Sequence, residues 1–93
     1  MIKNDLTDLN ELLLVLMEEC AEVQVEASKL MRFPENSSEK LEKEIGDLMY
    51  MVEVLHQWDL VSFTKIDEQM ARKHEKLKQY SHFMGETNEG LGI

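Results

Sequence analysis

The chain is poor in the residues that interrupt helices, with one proline and four glycines among 93 residues. Cys20 is its only cysteine, so no disulfide can form within the chain, and this favours a reducing, cytoplasmic setting. No apolar run approaches the about 20 residues that cross a bilayer, and the first residues lack the basic start of a signal peptide. We therefore expect one small helical domain over residues 1–84 with no membrane partner, followed by a flexible tail over residues 85–93.

Basic residues are also scarce. The chain has ten Lys and Arg residues and nineteen Asp and Glu residues, which gives a formal net charge of −9. Such a surface repels nucleic acid and anionic membranes, so neither is an expected partner. An anionic substrate would need a positive charge to offset this field, and a bound metal ion is the most direct source of one.

Apolar residues recur at alternating spacings of three and four, which predicts three helices over residues 8–32, 38–57 and 63–81. Phe33 precedes the single proline and ends the first helix. Asp8 and Thr64 are candidate N-caps of the first and third helices, and the second can be capped from residues 36–38. The fold class is therefore all-α, a helical hairpin plus a third helix.

The segment Leu12–Met17 is apolar on every side of its helix. One antiparallel neighbour covers only one side of a helix, so we expect a second subunit to cover the rest. This predicts a homodimer or homotetramer in which a four-helix-type bundle is completed by oligomerisation. The first apolar seam includes Cys20, which we interpret as a small core residue rather than a nucleophile. That seam consists of Leu9, Leu13, Leu16, Cys20, Val23, Ala27 and Leu30.

Two short acidic motifs lie on successive helices. The first is Glu18-Glu19-Cys20-Ala21-Glu22, and the second is Glu44-Ile45-Gly46-Asp47. Carboxylates three residues apart project from nearly one side of a helix, and a hairpin brings two such sides together. No acid of either motif has a lysine four residues after it, the partner that often accompanies a solvated charge run. Four converging carboxylates suit a hard divalent cation such as Mg²⁺ or Mn²⁺. Taken separately, each motif is also compatible with an ordinary solvated helix surface.

Glycine inside a helix is unfavourable by about 1 kcal/mol relative to alanine. Gly46 therefore either allows close helix packing or leaves room for a metal ion or ligand beside Asp47. Phe33, Tyr50 and Trp58 can stack on a base, although packing in a core or an interface is the commoner role of such residues.

These residues resemble the MazG-like family of all-α nucleoside triphosphate pyrophosphohydrolases, in particular its short, phage-type members. The similarity covers roughly residues 10 to 80. It includes Glu18–Phe33 (EECAEVQVEASKLMRF), Leu41–Asp47 (LEKEIGD) and Arg72–Leu77 (RKHEKL). The paired acidic motifs with a Lys/Arg-Phe segment between them are fairly specific to the superfamily but do not specify the substrate.

The resemblance implies Mg²⁺-dependent hydrolysis of a nucleoside or deoxynucleoside triphosphate to monophosphate and pyrophosphate. It implies metal-ligand positions for Glu19, Glu22, Glu44 and Asp47. Glu18 would be a further ligand or a base that orients water, so Glu18 and Glu19 are the candidate catalytic residues. A phage-encoded protein would act in the host cytoplasm.

Cationic side chains are expected to hold the outer phosphates of such a substrate. The candidates are Lys29, Arg32, Lys73 and Lys76, each of which is also compatible with an ordinary surface role. Two alternatives to the triphosphatase stay open. One is the same fold acting on another phosphorylated nucleotide, such as a phosphoribosyl-nucleotide. The other is a helical oligomerisation or adaptor module whose carboxylates are merely solvated.

Overall fold

The computed structural model describes residues 6–80, which form three α-helices and no strand. Helix α1 spans Leu6–Arg32, α2 spans Glu39–Gln57 and α3 spans Phe63–Tyr80. The all-α prediction is confirmed, and the predicted helix bounds agree to within two residues where the structure describes them. No helix in residues 6–80 combines the length and apolar character needed to cross a membrane.

The chain divides into two units, Met1–Val61 and Ser62–Ile93. The described part of the first unit is a hairpin of α1 and α2, and that of the second unit is α3. A single domain over residues 1–84 stays a prediction, and the predicted tail 85–93 lies outside the described residues.

The starts of α1 and α3 differ from the predicted caps, whereas α2 is capped from the predicted residues 36–38. Helix α1 begins at Leu6, so Asp8 lies inside its first turn, where a negative charge suits the positive end of the helix dipole. The hydroxyl oxygen of Ser37 accepts a hydrogen bond from the backbone N–H of Glu39 at 3.0 Å. Ser62, rather than Thr64, accepts the corresponding bond at the start of α3, from the N–H of Lys65 at 3.4 Å.

Helix α2 ends in a left-handed residue. Asp59 has a φ of 60°, and the N–H of Leu60 reaches back to the carbonyl oxygen of Leu55 at 2.9 Å. This pattern satisfies carbonyl groups of the last turn that have no partner inside the helix. The chain therefore leaves α2 sharply at this point.

The hairpin buries little. Met51 and Leu55 of α2 are the only buried side chains among the described residues. The side of α1 that faces α2 is only partly covered. It combines members of the predicted seam with members of a second row of the sequence pattern, which runs beside that seam and consists of Leu12, Val15, Glu19, Glu22 and Glu26. Its partly buried members are Leu9, Leu12, Val15, Leu16, Glu19, Val23, Glu26, Ala27 and Leu30.

This placement corrects the predicted seam at two positions. Cys20 is exposed rather than a core residue, and Leu13 is 39% exposed. Both rows of α1 are apolar around Leu12–Met17, so periodicity alone did not decide which one faces α2. Helix α2 lies nearer to the row that contains Glu19, and Cys20 is therefore turned towards solvent.

Candidate metal centre

The candidate site lies midway along the hairpin. The α1 motif occupies the middle of a 27-residue helix, and Glu44 and Asp47 lie in the second and third turns of α2. The loop after Arg32 reverses the chain, so the first half of α2 runs back along α1. This brings Glu44 and Asp47 close to Glu19. Each motif lies inside a helix, and the backbone hydrogen bonds of that helix fix the positions from which its carboxylates project.

Three carboxylates from the two helices converge. One carboxylate oxygen each of Glu19, Glu44 and Asp47 lies within 4.8 Å of the others. Glu19 and Glu44 are partly buried, and Asp47 is exposed. The structure therefore brings together three of the four predicted metal ligands.

Glu19 carries the clearest sign of a missing partner. Its Oε2 atom is shielded from solvent and has no hydrogen-bond partner. A buried carboxylate oxygen without a donor is unfavourable, because it loses water without gaining a compensating bond. A cation or a protonated ligand at this position would satisfy it.

The electrostatics of Glu44 agree with this crowding. Partial desolvation, a side-chain hydrogen bond with Asp47 and the negative charges of Asp47, Glu22 and Glu19 all raise its pKa above 4.5. Each of these effects favours the protonated form, because the carboxylate would lose water and face like charges. The site therefore holds more negative charge than its surroundings stabilise.

The remaining two acids of the first motif are placed differently. Glu22 lies outside the group of three, but it is close enough for its charge to raise the pKa of Glu44. Glu18 is exposed and does not belong to the group. Its helical position is about 100° from that of Glu19, which accounts for the difference.

Gly46 does not mediate close packing within the described chain. A Cβ atom built at this residue meets no heavy atom within 4 Å. The interpretation that Gly46 allows close helix packing is therefore wrong for the packing of α1 against α2. The other interpretation, that Gly46 leaves room for a metal ion or ligand beside Asp47, requires such open space.

A cleft of about 290 Å³ opens between the carboxylates and the loop, one helical turn before Glu44 on α2 and two turns after Glu19 on α1. It includes two lysines, of which Lys29 forms an ion pair with Glu26 at 3.3 Å. Lys40 was not among the predicted cationic residues. It lies four residues before Glu44, which places the two on the same side of α2, and this spacing is a signal that the sequence contains. The cleft is lined by Glu26, Lys29, Leu30, Asn36, Ser37, Glu39, Lys40 and Leu41.

The other predicted cationic residues are one residue of the hairpin and two of α3. Arg32 does not line the cleft, and its guanidinium lies 5.6 Å from the ring centroid of Phe33. Lys73 and Lys76 belong to α3, in the other unit of the chain. Their roles in substrate binding stay predictions.

The aromatic residues near the hairpin are mostly accessible. Tyr50 lies one turn beyond Asp47 and is 64% exposed, Phe33 is 47% exposed, and Trp58 is partly buried. Tyr50 and Phe33, for which packing in a core or an interface was predicted, are therefore not buried by the described residues.

No protein-family model, curated protein or solved structure matches this chain.

The donor set fits a hard divalent cation. All three converging groups offer carboxylate oxygens, which Mg²⁺ prefers, and none offers the nitrogen or sulfur that zinc favours. Ligands about 2.1 Å from Mg²⁺ lie roughly 3–4 Å from one another in an octahedron, so oxygens within 4.8 Å need only small side-chain adjustments. The unpartnered oxygen of Glu19 supplies an independent reason for a cation here.

Proposed function

We propose that this protein is a Mg²⁺-dependent nucleoside triphosphate pyrophosphohydrolase of the MazG-like type, with Mn²⁺ as a possible substitute. It would convert a nucleoside or deoxynucleoside triphosphate to the monophosphate and pyrophosphate, in the cytoplasm. The observation that carries the proposal is the convergence of Glu19, Glu44 and Asp47 from two helices around a shielded, unpartnered carboxylate oxygen.

The metal would be held by Glu19, Glu44 and Asp47, with Glu22 close enough to contribute charge. When bound, Mg²⁺ neutralises phosphate charge and lowers the pKa of water. Glu18 does not belong to the group and is left out of the proposed ligands.

The reaction requires water to add to the α-phosphorus while the bond from this phosphorus to the α–β bridging oxygen breaks. Pyrophosphate leaves with the electron pair of that bond, and a proton of the attacking water passes to a carboxylate. The candidate acceptor is a carboxylate of the first motif, Glu18 or Glu19.

The cleft beside the carboxylates suits the outer phosphates. Lys29 and Lys40 line it, and Lys40 lies about one helical turn before Glu44, roughly 6 Å along the axis of α2. Their positive charges would offset the repulsion between an anionic substrate and a chain of net charge −9. The ion pair with Glu26 holds Lys29 on this side of α1.

The partly covered hairpin supports an oligomer in this proposal, a homodimer or a homotetramer completing a bundle. With only Met51 and Leu55 buried among the described residues, the apolar core is small for a stable domain.

The decisive experiment measures pyrophosphate release from each of the eight common dNTPs and NTPs with and without Mg²⁺. The proposal expects release that depends on metal, and it expects Glu19→Gln or Asp47→Asn to abolish that release while helicity by circular dichroism is unchanged. Glu53→Gln removes one charge from an exposed position of α2 and serves as the matched control.

A thermal unfolding series with the same variants separates metal binding from catalysis. A ligand at 100 times its Kd stabilises the folded state by about 2.7 kcal/mol, so the wild type and Glu53→Gln should gain roughly 10–20 °C in Tm once Mg²⁺ reaches that concentration. Glu19→Gln should lose that gain. No shift in the wild type would contradict the metal site and favour an adaptor module, whereas a shift without pyrophosphate release would direct attention to other phosphorylated nucleotides.

A further inference from the structure

Four side chains follow one side of α2 in an order that matches the parts of a nucleotide. We call Lys40, Glu44, Asp47 and Tyr50 the α2 row. Successive residues of a helix differ by about 100°, so Lys40 and Asp47 lie about 20° apart around α2, and Asp47 and Tyr50 about 60° apart. At a rise of about 1.5 Å per residue, Lys40 lies about 10 Å before Asp47 along the axis, and Tyr50 about 4.5 Å beyond it. The row therefore runs from a cation through two carboxylates to an aromatic ring.

The cleft sets the direction in which a triphosphate would lie along this row. Lys40 lines the cleft together with Lys29 of α1, on the loop side of the carboxylates. In the proposed reaction the outer phosphates lie at these lysines and the α-phosphate lies at the metal. The nucleoside is attached to the α-phosphate, at the end opposite to the outer phosphates. It would then extend past Asp47, away from the loop and towards Tyr50.

The other two aromatic residues of the hairpin region do not meet this requirement. Phe33 lies at the loop end, and the Arg32 guanidinium lies over its ring, 5.6 Å from the centroid. Trp58 is partly buried and lies beyond the end of α2, about 16 Å from Asp47 along the axis. Tyr50 is 64% exposed and follows Asp47 by one turn, so its ring is accessible to a flat ligand beside the carboxylates.

We infer that Tyr50 binds the nucleobase of the substrate by stacking, with the outer phosphates at Lys40 and the metal between the two. This assignment depends on the proposed function, because the carboxylates and lysines set the direction of the substrate. Stacking uses the face of a base and not its hydrogen-bonding edge, so Tyr50 would accept purines and pyrimidines alike. The ligand of this side of the hairpin is then a nucleoside triphosphate and not an inorganic polyphosphate.

Equilibrium binding to the full chain in the presence of Mg²⁺ tests the stack with two probes. The first is the α,β-methylene analogue of whichever common dNTP or NTP the wild type binds most tightly, since its carbon bridge blocks the proposed cleavage. The second is inorganic tripolyphosphate, which supplies the phosphates without a nucleoside. Tyr50→Ala should raise the Kd of the analogue about 10-fold, the loss of one base stack, and leave the Kd of tripolyphosphate unchanged. Lys40→Ala should raise both.

Two further variants serve as controls. Tyr50→Phe keeps the ring and should bind the analogue as tightly as the wild type. Met49→Ala shortens a side chain of nearly equal exposure, 63% against 64%, about 160° around α2 from Asp47, and should bind both probes normally. Tyr50→Leu repeats the test if the alanine variant fails to fold. Equal losses for the two probes, unchanged affinity for the analogue, or a loss in Tyr50→Phe would overturn the inference.

The outcomes separate the stack from the proposed reaction. Pyrophosphate release by the wild type, without a selective effect of Tyr50→Ala on the analogue, would retain the hydrolase and remove the stack. A selective effect without any pyrophosphate release would support the stack and remove the hydrolase. A wild type that binds tripolyphosphate as tightly as the analogue would overturn the stack, because the nucleoside would then contribute nothing, and a wild type that binds neither probe would overturn both proposals.

Discussion

Glu44 shows how a single residue records the crowding of charge in the hairpin. Desolvation and the carboxylates of Asp47, Glu22 and Glu19 raise its pKa, so the folded chain holds this proton more tightly than the unfolded chain does. The free energy of unfolding must then depend on pH through this group.

The sign of that dependence makes a prediction for the metal-free protein. The stabilisation due to protonation of Glu44 is absent at neutral pH, grows as the pH falls through the raised pKa, and is complete below the ordinary value of 4.5. The difference in unfolding free energy between the wild type and Glu44→Gln should therefore change over this window, as measured by denaturant titration at several pH values. Glu53→Gln should follow the wild type, and a constant difference for Glu44→Gln would contradict the prediction.

Gly46 offers a second test at the residue scale. Nothing lies within 4 Å of a Cβ atom at this position, so Gly46→Ala should meet no clash within the hairpin. Alanine favours a helix interior by about 1 kcal/mol over glycine, and the unfolding free energy should rise by about that amount.

Thermal unfolding of Gly46→Ala, with circular dichroism as a check of helicity, measures this effect. A loss of stability in place of the gain would mean that another copy of the chain packs against Gly46.

At the scale of the element, the end of α2 carries local strain. Asp59 occupies the left-handed region with a φ of 60°, where residues with a Cβ are disfavoured and glycine is not. Aspartate tolerates this conformation better than most residues, although it lacks the freedom of glycine.

Substitution of this residue has a predicted direction. Asp59→Gly should raise the unfolding free energy by about 0.5–1 kcal/mol, because it relieves the left-handed strain at the helix end. Asp59→Ala keeps the Cβ without the polar side chain and should lower it. Chemical denaturation of the two variants measures both effects, and a ranking with alanine above glycine would show that the aspartate side chain stabilises the turn.

At the scale of the whole molecule, the burial pattern links stability to self-association. Only Met51 and Leu55 are buried among the described residues, while Leu14 and Met17 of α1 are more than half exposed. A chain that completes its core through a second copy is stabilised by mass action.

Its Tm should consequently rise with protein concentration, by a few degrees over a hundredfold range, in thermal scans from low micromolar upwards. Met17→Glu should lower the Tm and remove this dependence, while Met49→Glu retains it. A Tm for the wild type that does not change with concentration would mean that the chain completes its core alone.

The sequence by itself determined the helical character and the bounds of the elements. Spacings of three and four, the scarcity of proline and glycine, and the position of Phe33 before proline are local signals, so they predict helices without any knowledge of packing. The convergence of Glu19, Glu44 and Asp47 was also predictable, since a hairpin with a short loop leaves few registers for two acidic motifs.

Only the tertiary structure decided which side of α1 faces α2. Both rows of that helix are apolar near Leu12–Met17, and the position of α2 nearer to the Glu19 row turned Cys20 outwards and shielded an oxygen of Glu19. The separation of Glu18 from the carboxylate group follows from the same placement, because Glu18 lies about 100° from Glu19 around α1. A helical repeat records which residues share a side, whereas the side that is covered depends on where the neighbouring helix packs.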